Sequence, residues 1–193
     1  MINVTKSKAI LRGGLSCVQV KDGKFIISDS RRILITNWEF TDQRLKDEVY
    51  KKFGVAPEKG TRLMKASGEV SEGPDMINII ASCTFDEEIL YTGVDITEVT
   101  RLGTRVLSIW RASIDKFYRY DKTLLAPVED FYYCPATVGT LENAPVLHIK
   151  NSITDLVDYD FYVFPWGRRP LTREEVVKKL DDQTFNYKKR IGG

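Results

Sequence analysis

A chain of 193 residues that is 42% hydrophobic and 29% charged has the composition of a globular protein, which excludes intrinsic disorder. At this length one domain can bury roughly 70% of the surface that its unfolded form exposes, so a sizeable core is expected. The 29 basic and 27 acidic residues leave a formal charge of +2, which excludes the strong positive field of a protein that coats duplex nucleic acid.

Three cysteines, Cys17, Cys83 and Cys134, stand far apart, so they supply neither a CxxC pair for zinc or redox chemistry nor a fully paired disulfide framework. The N-terminal segment lacks the apolar core of a signal peptide, and no apolar run reaches the ~18 residues of a spanning helix. We therefore expect a soluble protein without a membrane partner. Its expected location is a reducing cytoplasm, that of a host cell if the protein is viral.

Apolar runs separated by turn residues predict a β-meander over residues 8–38. Asp22-Gly23 is the clearest turn signal, because both residue types accept the positive φ of a type I′ turn. It predicts a β-hairpin over residues 15–28.

A helix is predicted over residues 41–53, where it would cover one face of the sheet. Thr41 or Asp42 would cap its N-terminus, and Gly54 would end it in the left-handed conformation. Its apolar stripe consists of Leu45, Val49 and Phe53. The charged residues between them are typical of a solvated helix face.

The two segments that follow are harder to interpret. Residues 76–85 alternate between apolar and polar types, which predicts a strand with Cys83 on its buried face as a small core residue. Residues 104–120 fit a strand through the alternating set from Val106 to Ile114. They fit a helix through Leu107, Trp110, Ile114 and Phe117. We predict the helix, because its apolar set is more uniform.

Residues 123–145 contain three prolines and are predicted to be an irregular loop region. Loops that carry aromatic residues, here Tyr132 and Tyr133, often contact other molecules. The polar ends of the chain, NVTKSK and NYKKRIGG, are predicted to be arms that exchange between neighbouring copies in an assembly.

The segment 159–182 carries the densest aromatic cluster. Thr172 and Glu175 form a T-x-x-E capping box, and Leu171 and Val176 a hydrophobic staple, which together predict a helix over residues 173–182. The preceding strand, residues 159–166, is apolar on both faces. It is therefore either central in the sheet or covered by a partner.

These elements predict a single α+β domain over residues 1–193. It would consist mainly of an antiparallel β-sheet with two or three packed helices, at 41–53, about 104–120 and 173–182.

Candidate catalytic groups lack identifiable partners in the sequence. His148, the one histidine, alternates with Val146 and Lys150 so as to face solvent or a partner, and no nucleophile elbow accompanies it. The acidic residues at 86–88 and 155–160 are typical Mg²⁺ ligands, and a metal-dependent hydrolase would require Asp86 and Asp158 to lie close together. Phosphate-binding glycine motifs do not occur.

Aromatic and basic residues interleave in FYRYDK, WGRR and NYKKR, a mixture that single-stranded nucleic-acid grooves use. An accessory nucleic-acid or nucleotide-binding protein is therefore an alternative function, with Arg168 and Arg169 as the first contacts.

The function that we predict is a non-catalytic structural subunit, with no metal and no cofactor. It would act through protein contacts in a homo-oligomer or larger assembly, such as a viral particle. Strand 159–166 and the loop 127–145 would be its contact surfaces. Aromatic residues and arginines carry most of the energy of interfaces. The expected interface residues are therefore Tyr132, Tyr133, Trp166, Arg168 and Arg169.

Overall fold

The structure, a computed structural model, describes residues 2–100, 103–128, 136–141, 144–151, 159–164 and 169–191. Within these ranges the chain forms twelve strands and five helices. In chain order they are α1 (Val4–Arg12), β1 (Leu15–Lys21), β2 (Lys24–Ser28), β3 (Arg32–Asn37), α2 (Gln43–Phe53), β4 (Arg62–Ala66), β5 (Glu69–Glu72), α3 (Met76–Ala81), β6 (Thr84–Ile89), β7 (Tyr91–Thr100), β8 (Gly103–Ser113), β9 (Lys116–Asp121), α4 (Lys122–Leu125), β10 (Ala136–Leu141), β11 (Ala144–Asn151), β12 (Tyr159–Val163) and α5 (Arg173–Ile191).

Nine strands form one large sheet in the order β5-β4-β1-β2-β3-β12-β11-β10-β6, and β7, β8 and β9 form a separate small sheet. The pairings among the described strands are antiparallel. The predicted α+β class with a mainly antiparallel sheet is therefore confirmed.

The main core lies on one face of the large sheet. Buried side chains of α1 and α2 pack there with strand residues such as Val18 and Phe161. The small sheet contributes Trp110 and Tyr120 to the same cluster, so one core draws on both sheets. The opposite face of the sheet carries a second cluster, which includes Ile26, Tyr162 and the α3 residue Met76.

Local sequence signals place several elements as predicted. Asp22 and Gly23 adopt φ of 51° and 71°, and β1 pairs with β2 around them, which confirms the hairpin. The helix predicted over residues 41–53 is confirmed as α2, with Asp42 accepting a hydrogen bond from the backbone N–H of Arg44 at 2.8 Å. Its apolar stripe is buried against the main core.

The capping box of α5 is also confirmed. The Thr172 hydroxyl accepts from the Glu175 backbone N–H at 3.3 Å, and the Glu175 carboxylate accepts from the Thr172 backbone N–H at 2.9 Å. The helix begins at Arg173 as predicted but continues to Ile191, beyond the predicted end.

The helix predicted over residues 104–120 is wrong. These residues form β8 and β9, which pair as a hairpin. Residues 107–110 of β8 are buried on both faces, because the small sheet packs against the main core on one side and against α5 on the other. A strand that is apolar on both faces does not alternate, and its apolar residues then also fit helical spacing.

The strand predicted over residues 76–85 is wrong in its first half, where α3 forms. The Asp75 carboxylate caps this helix by accepting from the backbone N–H groups of Ile77 and Asn78. Gln19 and Lys21 of β1 also donate to Asp75, at 3.0 and 2.8 Å. This anchoring to the sheet outweighs the local alternation. Cys83, predicted as a core residue, is partly buried just after the helix.

Two further predictions need correction. The N-terminal residues do not form a polar arm or an opening strand, because they fold into α1, where Ile10 and Leu11 are fully buried. The predicted loop region 123–145 contains α4, β10 and the start of β11, so the prolines punctuate regular elements. Residues 129–135 and 142–143 lie outside the described residues.

Candidate functional site

Residues 159–163 of the predicted contact strand form β12 in the middle of the large sheet, and residues 165–166 lie outside the described residues. β12 pairs with β3 on one side and with β11 on the other, so neither of its edges is open. Tyr159, Phe161 and Val163 are buried in the main core. The sequence analysis left two interpretations, a strand central in the sheet or a strand covered by a partner. The first is correct for residues 159–163, which therefore do not form an external contact surface.

Among the predicted interface residues, Tyr132, Tyr133, Trp166 and Arg168 lie outside the described residues. Arg169 is exposed and donates hydrogen bonds to both carboxylate oxygens of Glu175, at 2.6 and 3.0 Å. These bonds lower the pKa of Glu175 to about 2. Arg169 thus reinforces the cap of α5.

The metal site that the alternative function of a hydrolase would require depends on residues that the structure does not describe. Asp158 and the side chain of Asp86 lie outside the described part of the chain, so their separation stays a prediction. Elsewhere in the described ranges, histidine, cysteine, aspartate and glutamate side chains do not gather in groups of three. The described helices include none long and apolar enough to cross a membrane.

Two aromatic residues, the exposed Tyr50 and the half-buried Trp38, line an open cleft beside α2, which we call the α2 cleft. It has a volume of about 530 Å³. Trp38, Tyr50 and Pro57 supply its apolar surface. The remaining lining residues are Gln43, Lys46, Asp47, Lys51 and Ala56.

The helical period places Tyr50 outward. The neighbouring Val49 belongs to the buried stripe, so Tyr50 points away from the core and is 58% exposed. Trp38 follows β3 and packs on Phe25, with ring centres 6.0 Å apart. The indole therefore contacts the main core on one side and lines the α2 cleft on the other. Phe40 is 54% exposed in the same turn, two residues beyond Trp38.

Charged groups border the aromatic surface of the α2 cleft. The Lys46 ammonium lies 3.9 Å from the ring centre of Trp38, a cation–π contact that fixes the lysine over the cleft. The Gln43 amide donates to Asp47 at 2.9 Å. With Lys51 at the rim, two cations and one carboxylate give the cleft a net charge of +1. It can therefore receive an apolar side chain that has a carboxylate beside it.

Sequence reasoning missed this site because it treated the outer face of α2 as ordinary solvated surface. A signal was present in three aromatic residues, Trp38, Phe40 and Tyr50, which fall outside the apolar stripe of the helix. Exposed aromatic residues of this kind are enriched in protein interfaces.

His148 has a carboxylate partner that the sequence did not reveal. Its Nε2 lies 2.9 Å from Asp160 Oδ1 on the adjacent strand β12, and its ring stacks on Tyr162 with centres 4.4 Å apart. Phe85 covers the pair, 5.3 Å from the His148 ring. The predicted outward orientation is wrong, because the side chain is only 18% exposed.

The pKa values of this cluster follow from its burial and charges. Burial raises the pKa of Asp160, but the hydrogen bond from His148 and the positive charges of His148, Lys150 and Lys24 outweigh it, so the pKa is lowered. Burial raises the pKa of Tyr162. The His148 ring lies against both Tyr162 and Phe85, so the arrangement resembles a packed hydrogen-bonded pair.

A second open cleft, of about 640 Å³, lies between β1 and the loop after α2. Four of its charged groups form ion pairs: Lys21 with Asp75, and Arg62 with Glu72. Hydrogen bonds from Lys21 and Gln19 hold the pKa of Asp75 well below its usual range. These contacts tie α3 to β1, a structural role.

Comparison with known proteins found no match to a protein-family model, a curated protein or a solved structure.

Proposed function

We propose that the protein is a non-catalytic subunit of a protein assembly and that the α2 cleft is one of its contact surfaces. The observation that carries the proposal is the exposure of Tyr50 beside Trp38 and Pro57 in one open cleft. Contiguous apolar patches with polar rims mark interaction sites, and tryptophan and tyrosine dominate the energetics of interfaces.

The proposal includes a cytoplasmic location. It is supported by Cys17 and Cys83, which are free thiols, as expected in a reducing compartment.

Light scattering after size separation tests the proposal. We expect wild-type protein to form a multimer that persists at high salt, since the contact is largely apolar. Tyr50→Asp places a charge in the α2 cleft and should reduce the mass to that of a monomer. Tyr50→Phe keeps the ring and should preserve the multimer, as should Val70→Asp, a similar change at an exposed residue of the edge strand β5.

The same experiment separates the alternative functions. A monomer that carries nucleic acid at low salt and releases it at high salt would instead indicate the nucleic-acid binder, because phosphate contacts weaken steeply with salt. A monomer without nucleic acid at every concentration would overturn the assembly proposal.

A further inference from the structure

A second exposed surface lies where the β8–β9 turn meets α5. β8 and β9 pair up to Ser113 and Lys116, so Ile114 and Asp115 occupy the tip of the hairpin. Ile114 is 76% exposed, the highest value among the large apolar side chains that the structure describes as exposed. Val177, on the facing part of α5, is 47% exposed. We call this surface the acidic tip.

Carboxylates border Val177, and Asp115 follows Ile114 directly in the chain. Asp115 and Val177 share an open depression of about 610 Å³ with charged residues of α5. Those residues are Arg173, Glu174, Lys178, Asp181 and Asp182. Four carboxylates and two cations give the depression a net charge of −2.

The acidic tip complements the α2 cleft in charge, with −2 in the depression at the tip and +1 in the cleft. The tip is a protruding aliphatic side chain beside a carboxylate, whereas the cleft is an aromatic depression beside Lys46 and Lys51. Opposite potentials on two surfaces favour their association and fix its register. Aromatic and aliphatic groups gain from leaving water together.

We propose that the protein binds a second copy of itself head to tail, with Ile114 of one copy seated in the α2 cleft of the next. Asp115 then approaches Lys51, and the acidic side of α5 faces the basic rim of the cleft. The inference rests on the proposed function and names the partner of that surface.

A contact between unlike surfaces has a consequence for the assembly. Each copy retains a free tip at one end and a free cleft at the other, so association continues into a ring if the rotation closes and into a filament if it does not. The opposite charges make the association weaker at high salt without abolishing it, because its centre is apolar.

Two variants with complementary defects test the geometry. Ile114→Asp disrupts the acidic tip and leaves the α2 cleft intact. Tyr50→Asp disrupts the α2 cleft and leaves the acidic tip intact. Both residues are exposed, so the circular dichroism spectrum should match that of wild type, as should the melting temperature at a concentration where wild type is monomeric. Each variant alone should be monomeric, with an association constant at least about tenfold lower than that of wild type. An equimolar mixture should give a dimer and nothing larger, because only one intact tip–cleft pair is available.

A charge exchange sharpens the test. Lys51→Glu and Asp115→Lys should each weaken association, and the double variant should recover most of it, since the ion pair is reformed with its signs reversed. Ser30→Lys, a charge change at an exposed residue of the β2–β3 turn, serves as the matched control and should leave the mass unchanged.

The outcomes distinguish this inference from the proposed function. If Tyr50→Asp disperses the multimer and Ile114→Asp does not, the cleft remains a contact surface but the tip is not its partner, and the inference is overturned. If both variants are monomers and their mixture stays monomeric, the head-to-tail geometry is overturned. A wild-type monomer would overturn the proposed function itself.

Discussion

β12 and the α2 cleft are both rich in aromatic residues, but the fold uses them in opposite ways. Phe161 of β12 is fully buried in a strand that is hydrogen-bonded along both edges, whereas Tyr50 of α2 is more than half exposed. The density of aromatic residues in a segment therefore does not separate a folding role from a contact role. What separates them is whether the chain itself supplies a neighbour on every side.

The largest effect expected from this contrast is at Phe161. Phe161→Ala should lower the free energy of unfolding by about 3–5 kcal/mol, because it removes a fully buried ring from the centre of the sheet and leaves a cavity. Urea titration followed by circular dichroism measures the change. Phe161→Leu keeps most of the volume and should cost less. A loss below about 1 kcal/mol for the alanine variant would place the ring outside the core.

The second largest loss of stability is expected at Gly139, which lies close to the neighbouring strand β6 in the same sheet. A Cβ atom on Gly139 of β10 would lie 2.4 Å from Phe85 Cδ1 and 2.8 Å from the Thr84 carbonyl oxygen, and the backbone atom cannot move aside easily. Gly139→Ala should therefore destabilise by about 1–3 kcal/mol. The neighbouring Thr140→Ala, at an exposed position, is the control and should have little effect. Thermal unfolding of both variants compares them.

The pair of His148 and Asp160, on the face of β12 opposite the main core, predicts a smaller, pH-dependent effect. The pKa of Asp160 in the folded state lies below its ordinary value of 3.8, so its carboxylate contributes stability above pH 3.8 and loses that contribution as the pH falls through the lower value. The difference in unfolding free energy between wild type and Asp160→Asn should be complete at about pH 5 and shrink in stronger acid. Denaturant titrations across this range measure it. A difference that grew towards acid would mean a raised pKa and contradict the assignment.

The smallest effect on stability is expected at the α2 cleft. Tyr50→Ala should change the free energy of unfolding by no more than about 0.5 kcal/mol, because the ring is largely in water. Val49→Ala, one residue earlier and fully buried, should destabilise clearly more. Denaturant unfolding at a concentration where wild type is monomeric isolates folding from association. A large loss of unfolding free energy in Tyr50→Ala would mean that Tyr50 is a core residue like Phe161 and would contradict its assignment to a contact surface.

Elements with strong local signals could be predicted from the sequence. Asp22-Gly23 fixes its hairpin by backbone conformation, and Thr172 with Glu175 fixes the start of α5 by capping hydrogen bonds. Neither signal depends on distant residues. Residues 76–81 show the limit, because their helix is held by Gln19 and Lys21, more than fifty residues earlier in the chain.

The candidate site could be predicted only in part. Trp38 and Tyr50 are visible as aromatic residues, but their exposure depends on which faces of β3 and α2 the core covers. The pairing of His148 with Asp160 depends on the register between β11 and β12, which places Lys150 opposite Asp160 and His148 opposite Tyr162. Register is set by the whole sheet, so no local pattern contains it.

By itself the sequence determined the α+β class, the first hairpin, the α2 stripe and the start of α5, because turn chemistry, capping and amphipathic period act over a few neighbouring residues. The tertiary structure alone decided that residues 104–120 form a hairpin of strands, that β12 lies inside the sheet, and that the aromatic residues around α2 remain at the surface. These outcomes depend on burial by residues distant in the chain. An apolar side chain is compatible with either a core or an interface until its neighbours are known.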